Sequence, residues 1–340
     1  MDNETQRLSR ATLAGEKLTS DDGLYLAERA PHNDLLYCAG EIRRARMGDA
    51  VGLCAIANAR SGACSEDCAF CAQSGHSQTD APVYPMKPAE ELEDAARAAQ
   101  AAGADAFCIV TSGRGPRGDD FDVLLARARD VASVIDIELH VSVGSLTLER
   151  ARALREAGVT SANHNLETSR RFYPEICSTH EWDERRRGVE VLRDAGLEPC
   201  SGGLFGMGET WGDRVDLALA LRELGVACVP VNFLDPRPGT KLADRPLLGA
   251  REALRILAVL RFLLPDASIR TCGGREKILG PLQSWMFQAG ASATMLGNYL
   301  TTTGNAPNED LAMLKALGLR PRSQTDSVRR TRRARGAPSR

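Results

Sequence analysis

From about residue 50 onward, short apolar runs alternate with longer segments of helical spacing, and this rhythm confines the chain to an α/β fold with parallel strands. The apolar runs cover 51–57, 104–111, 137–143, 159–163, 197–202, 226–233, 268–272 and 291–296. Helical spacing covers 89–102, 146–157, 181–195, 213–224 and 250–263. Gly103, Gly158, Gly196 and Gly225 each stand just past a helical segment, where glycine takes the left-handed conformation without steric cost. Eight strand–helix units predict a (β/α)8 TIM-type barrel, with a doubly wound open sheet as the second reading. Residues 1–50 read as an N-terminal helical extension, 51–320 as the barrel and 321–340 as a basic tail. Barrel active sites lie at the C-terminal ends of the strands, so polar and thiol groups there are the first candidates.

Charge adds little pull toward a macromolecular partner. The 340 residues carry a net charge of -2, which favours neither nucleic acid nor a membrane surface. Arg329, Arg330, Arg332, Arg333, Arg335 and Arg340 crowd the last residues without an apolar pattern, as a solvated tail does. The start is polar and acidic, and no apolar run reaches the ~18 residues of a membrane span, so the chain is expected to be cytoplasmic. Thiols stay reduced in that compartment, and ten cysteines there point to metal binding or catalysis rather than disulfides.

Cys64, Cys68 and Cys71 follow the first predicted strand in the pattern CxxxCxxC, with Phe70 before the last thiol. Three thiolates so close together can wrap one face of an iron–sulfur cubane and leave one iron open. Reductive cleavage of S-adenosylmethionine (SAM) needs such an iron, to chelate the amino and carboxylate groups of its methionine part. A zinc site completed by His76 is the competing reading.

Cys108, His140, Cys200 and Arg270 each lie inside a different predicted strand. Alternate residues of barrel strands point inward, so these four can converge on a second cluster. Buried cysteines also serve as small hydrophobes, and a core histidine as a hydrogen-bonding group. Cys272, two residues past Arg270, shares its face in a regular strand. Cys38, Cys54, Cys177 and Cys228 have no comparable context. Asn163, Asn165 and Glu167 run on from the fourth strand and Asn232 ends the sixth. Amides there can bind an amide- or urea-like substrate, Glu167 can accept from sugar hydroxyls, and Arg185 can pair with a carboxylate. Turn formation and helix capping account for the same Asn and Thr residues.

From about residue 40 to 320 the chain resembles the biotin synthase family. The matching stretches are Gly62–Ser74, Asn163–Ser169, Cys200–Gly203, Gly208–Thr210, Val229–Asn232 and Gly274–Glu276. The resemblance implies a radical SAM barrel, usually a homodimer, that inserts sulfur into dethiobiotin to close the thiophane ring of biotin. It implies a 4Fe–4S cluster on Cys64, Cys68 and Cys71. Asn163, Asn165, Glu167 and Arg185 would place SAM and substrate, and Asn232 would meet the ureido ring. A deoxyadenosyl radical then takes hydrogen from two unactivated carbons in turn, each at the expense of one SAM, with flavodoxin or ferredoxin as reductant. The sulfur comes from an auxiliary 2Fe–2S cluster held by three cysteines and an arginine. Cys108, Cys200 and Arg270 stand at those positions, while His140 stands where the family has its remaining cysteine. Imidazole ligates the Rieske clusters, and Cys272 is the alternative donor. The other functions considered are a related radical SAM mutase or lyase without a sulfur-donating cluster, and a zinc-stabilised barrel without redox chemistry.

Overall fold

The computed structural model describes residues 2–323 and Asp326, so most of the predicted tail lies outside the described residues. The strands are β1 (Ala50–Arg60), β2 (Ala106–Thr111), β3 (Glu138–Ser142), β4 (Val159–Asn163), β5 (Glu198–Cys200), β6 (Gly203–Phe205), β7 (Cys228–Phe233), β8 (Ser268–Thr271), β9 (Ala293–Met295) and β10 (Arg320–Pro321). The helices are α1 (Asn3–Ala14), α2 (Ser20–Glu28), α3 (His32–Met47), α4 (Ala89–Ala101), α5 (Asp119–Val134), α6 (Leu148–Glu156), α7 (Trp182–Asp194), α8 (Trp211–Glu223), α9 (Ala250–Leu263), α10 (Arg275–Leu279), α11 (Trp285–Gln288) and α12 (Pro307–Ala316).

All strand pairs are parallel, and β9 returns to β1 through Gly52–Ala293, Leu53–Thr294 and Cys54–Met295. That last pairing closes the barrel and excludes an open doubly wound sheet. β5 and β6 together make one stave, because the run expected over 197–202 breaks at Ser201 and Gly202 and resumes at Gly203. A Cβ on Gly202 would lie 1.9 Å from the Pro230 carbonyl oxygen, so only glycine lets β7 approach this closely. α5, α10 and α11 complete the crossovers beyond the helical segments read from the sequence, and α12 leads from β9 to β10.

The strands alternate with period two, as a barrel wall must. Phe107, Ile109, Leu139, Val141, Val229, Val231 and Ile269 point outward and are buried under the helices. Each such side chain contributes about 1.5–3 kcal/mol through burial. Their neighbours Cys108, His140, Cys228, Pro230 and Arg270 therefore face the lumen. In β1, Leu53 and Ala55 pack outward, so Cys54 faces inward and joins an interior cluster with Cys108, Cys272 and Met295.

α1, α2 and α3 precede the barrel and pack on α8 and α9. Thr19 and Asp22 cap α2 reciprocally, and Arg255 of α9 donates to the Leu26, Ala27 and Ala30 carbonyls at 2.9, 3.2 and 2.9 Å. The C-terminal carbonyls of α2 thus find donors that its own backbone cannot supply.

Candidate active site

The loop after β1 turns sharply through Gly62 and Ala63, with φ of 74° and 48°. For Ala63 the left-handed backbone costs about 1–3 kcal/mol, sustained by the loop's hydrogen bonds. The Cys64 N–H donates to the Gln73 carbonyl at 3.1 Å, the Gly75 N–H to the Cys64 carbonyl at 2.8 Å, and the Cys71 N–H to the Cys68 carbonyl at 3.0 Å. Gln73 Oε1 accepts from Ser61 Oγ at 3.0 Å and from the Gly62 N–H at 3.3 Å. Cys64, Cys68 and Cys71 are partly buried on this fixed loop and form no disulfide. Burial pushes the Cys71 thiol up; a hydrogen bond with Cys177, then burial, does the same to Cys68. Bare thiolates are disfavoured there, and ligation to a cation is the ordinary way to carry them. His76 is exposed, with Nε2 at 3.1 Å from the Ser65 carbonyl.

A second loop, leading into α7, braces the first and went unnoticed in the sequence. Asp67 accepts from the Ser178 N–H at 2.9 Å, Ser178 Oγ at 2.6 Å and the Thr179 N–H at 3.2 Å. Burial opposes its charge, but these donors outweigh burial and hold the carboxyl far below the usual range. Glu66 Oε2 accepts from His180 Nδ1 at 2.6 Å and from Thr179 Oγ1 at 2.8 Å. Cys177 Sγ stands 4.0 Å from Cys68 Sγ and 3.3 Å from His180 Nδ1. The hydrogen bond from Cys68, with help from His180, pulls the Cys177 thiol down. Among the described residues, the metal-capable donor atoms of Cys68, Cys177 and His180 lie within 4.8 Å of one another.

The polar residues predicted past β4 come together. Asn163 Nδ2 donates to Asn165 Oδ1 at 2.9 Å, and that oxygen also accepts from the Gly202 N–H at 3.2 Å. Arg185 Nε donates to the Asn165 carbonyl at 2.7 Å, and its guanidinium lies 3.6 Å from Glu167. Glu167 has φ 66°, and its main chain bridges Gly202 and Leu204. Burial pushes its carboxyl up while Arg185 opposes the shift. The Glu167 charge adds, as the smallest contribution, to the upward push on the Cys68 and Cys71 thiols. Asn232, at the end of β7, accepts from the Gly273 N–H at 3.1 Å and leaves its amide donors at 3.5 Å from the Gly203 carbonyl.

Inside the barrel, Cys108 and His140 are register partners on β2 and β3, and Cys200 and Cys228 on β5 and β7. Cys200 Sγ and Cys228 Sγ are 2.8 Å apart without a disulfide. Cys272 Sγ lies 3.5 Å from the Arg270 carbonyl, and burial pushes its thiol up to about 12. His140 Nε2 lies 3.0 Å from Glu138 Oε2. Burial works against charge on His140, but Cys54 and Glu138 outweigh it and raise its pKa to about 10. The buried Arg270 guanidinium senses Cys228, Cys54, Cys200 and Cys272, in that order, and its Nε finds no acceptor among the described residues. Cys54 and Cys228 were absent from the candidates. Their strand parity was the one signal available: Cys54 alternates with outward Leu53 and Ala55, and Cys228 with outward Val229.

Two family models cover most of the chain: the Radical SAM superfamily over residues 59–221, and the Biotin and Thiamin Synthesis associated domain over 230–320. The biotin synthase of Geobacter sulfurreducens is 47% identical over 322 residues, covering 94% of this chain and 98% of that protein. The biotin synthase of Rippkaea orientalis is 46% identical over 323 residues, covering 92% and 88%. The chain belongs to the biotin synthase family.

Solved structures bear on the fold of this family member. Methylornithine synthase superposes with a TM-score of 0.83 at 19% identity, covering 95% of this chain and 99% of that one. The FeFe-hydrogenase maturase HydG from Carboxydothermus hydrogenoformans gives 0.79 at 19% identity, covering 94% and 79%. Biotin synthase membership makes the chain a radical SAM enzyme that uses SAM and iron–sulfur chemistry. The donors present suit such groups. Three cysteines on one fixed loop match a cluster with an open iron. In the lumen, five thiols surround a buried cation whose Nε has no acceptor among the described residues, and an anionic thiolate-held group would satisfy both. No helix among the described residues is long and apolar enough to cross a membrane.

Proposed function

We propose that this chain converts dethiobiotin to biotin by inserting sulfur between two unactivated carbons. The observation that carries this reading is a pair of thiol sets in one barrel: a triad at the mouth, and a thiol-lined lumen around Arg270. When bound, a 4Fe–4S cluster with SAM supplies one-electron opening of C–H bonds, and an auxiliary 2Fe–2S cluster supplies sulfur. Cys64, Cys68 and Cys71 would hold the first. The family's positions around the second fall on Cys108, Cys200 and Arg270, with His140 and Cys272 as the sequence's candidates at its remaining position.

The neighbouring residues bind and orient. Glu167 accepts from the sugar hydroxyls of SAM, while Arg185 fixes both Glu167 and the Asn165 backbone. Asn163 and Asn165 line the wall between SAM and substrate. Asn232 has its Oδ1 already engaged by Gly273, so its amide N–H groups suit a ureido carbonyl. A flavodoxin or ferredoxin would supply electrons in the cytoplasm, and the enzyme would act as a homodimer.

The test is anaerobic reconstitution with iron and sulfide, followed by turnover with dethiobiotin, SAM and a reductant. Biotin, deoxyadenosine and methionine are quantified by mass spectrometry. Biotin formation with one SAM consumed per C–H bond opened is expected. SAM cleavage without biotin would move the chain to the mutase or lyase reading.

A further inference from the structure

The lumen of this barrel offers more thiols than an arrangement of three cysteines and one arginine uses, and they are paired. Cys54 on β1 and Cys108 on β2 lie diagonally across the two strands, since Cys54 stands opposite Ala106 and Cys108 opposite Ile56, and both pack in one interior cluster. Cys200 on β5 and Cys228 on β7 are register partners with their sulfurs 2.8 Å apart. Since β5 and β6 count as one stave, the first pair occupies staves one and two and the second staves five and six. In a closed eight-stave barrel those are opposite walls. All four side chains are almost fully buried, at 1%, 6%, 3% and 2% exposed.

Resting on the function proposed above, we propose that Cys54, Cys108, Cys200 and Cys228 are the four ligands of the auxiliary cluster, one pair on each iron. A 2Fe–2S cluster ordinarily takes four thiolates, two per iron, which is the number and pairing the two walls present. His140 and Arg270 then have other tasks. His140 Nε2 is engaged by Glu138 at 3.0 Å, and its ring then orients the lumen thiols instead of binding iron. Arg270 faces the thiols as a buried counter-cation, and the negative charge of a four-thiolate cluster supplies what its guanidinium lacks. Cys272, just past β8 on stave seven, belongs to neither of the two opposed walls and stays outside the ligand set.

The proposal is tested by spectroscopy in a full-length Cys64→Ala/Cys68→Ala/Cys71→Ala background, which leaves only the auxiliary site to load. Iron and sulfide content, Mössbauer spectra and pulsed EPR of the reduced cluster are recorded for this background and for added Cys54→Ser, Cys228→Ser, Cys272→Ser and His140→Ala. Circular dichroism confirms that each variant is folded. Cys54→Ser and Cys228→Ser are expected to lose most of the iron or to change the Mössbauer parameters of one iron site. Cys272→Ser and His140→Ala should keep the background iron content, and no strongly coupled histidine nitrogen should appear with 15N-labelled histidine. Retention of an unchanged cluster in Cys54→Ser, or a strong nitrogen coupling lost in His140→Ala, would overturn the assignment. So would a background protein that loads no iron. Biotin formation by the wild-type protein is measured separately and reports on the function alone: biotin made despite an unchanged Cys54→Ser cluster defeats the ligand set and leaves the synthase standing.

Discussion

Arg185 donates through Nε to the Asn165 carbonyl at 2.7 Å while its guanidinium stands 3.6 Å from Glu167, so one side chain ties a loop backbone to a buried carboxylate. A lysine cannot reproduce this fork, because its ammonium is a single point of charge. Arg185→Lys should raise the KM for SAM about tenfold, corresponding to about 1.4 kcal/mol, with a smaller effect on kcat and unchanged iron content. Steady-state kinetics with deoxyadenosine as the readout, alongside iron analysis, decides it. An unchanged KM would remove Arg185 from the SAM site.

Asp213 makes the acid limit of stability partly predictable. Its buried carboxylate accepts from Arg171 Nε at 2.9 Å, Ser169 Oγ at 2.6 Å, and the Thr210 N–H and Oγ at 2.8 and 2.7 Å. Burial alone would raise its pKa, but Arg171, Ser169 and Thr210 outweigh it and hold the group well below the ordinary carboxylate range. A depressed native pKa gives stability that is complete above the unfolded value, about 3.9, and is lost as the pH falls toward the native value. Asp213→Asn should therefore cost about 1.5–3 kcal/mol at pH 7, and the gap to wild type should shrink below pH 4. Urea midpoints of the reduced apoprotein across this range are the measurement; a gap independent of pH would contradict it.

The barrel was legible in the sequence because its signals are local: apolar runs, helical periods and glycines past the helix ends. That Cys64, Cys68 and Cys71 share one loop was legible for the same reason, since their spacing is local. The lumen was not fully legible. Cys54 and Cys228 carry no spacing signature, and what unites them with Cys108 and Cys200 is strand register and barrel closure, both set by distant pairings. Cys177 was given no role and His180 was not singled out, because the contacts that define them, to Cys68 and Glu66, bridge 109 and 114 residues of sequence. The break at Ser201 and Gly202 was read as continuous strand, for its cause is the backbone of Pro230 and not any residue nearby in the chain.

That break gives a direct steric test. Gly202→Ala would put a Cβ at 1.9 Å from the Pro230 carbonyl oxygen, an atom of the neighbouring strand that cannot turn aside. The variant should be destabilised by more than about 4 kcal/mol, the range reserved for severe steric or core defects, or fail to accumulate in soluble form. Thermal melts and soluble yield compare it with Ser201→Ala, which adds no such contact. A Gly202→Ala protein melting with wild type would mean that β7 can move away from this stave.

Arg270 should change the sign of its contribution with cluster loading. In the apoprotein it is a buried cation beside thiols that resist ionisation: burial pushes Cys108 and Cys272 up, and a hydrogen bond with Cys228, then burial, pushes Cys200 up, with Arg270 only partly offsetting this. A buried charge without a full counter-charge is costly, and an apolar side chain of similar length avoids that cost. Arg270→Met should therefore leave the apoprotein as stable as wild type or more stable, by up to about 4 kcal/mol. In the loaded protein the cluster carries the negative charge, and the same substitution should weaken its retention. Melting of apo and reconstituted forms under anaerobic conditions, with iron release to a chelator followed in parallel, separates the two states. Equal destabilisation of both forms would mean that Arg270 acts through packing and not as the counter-ion of a lumen cluster.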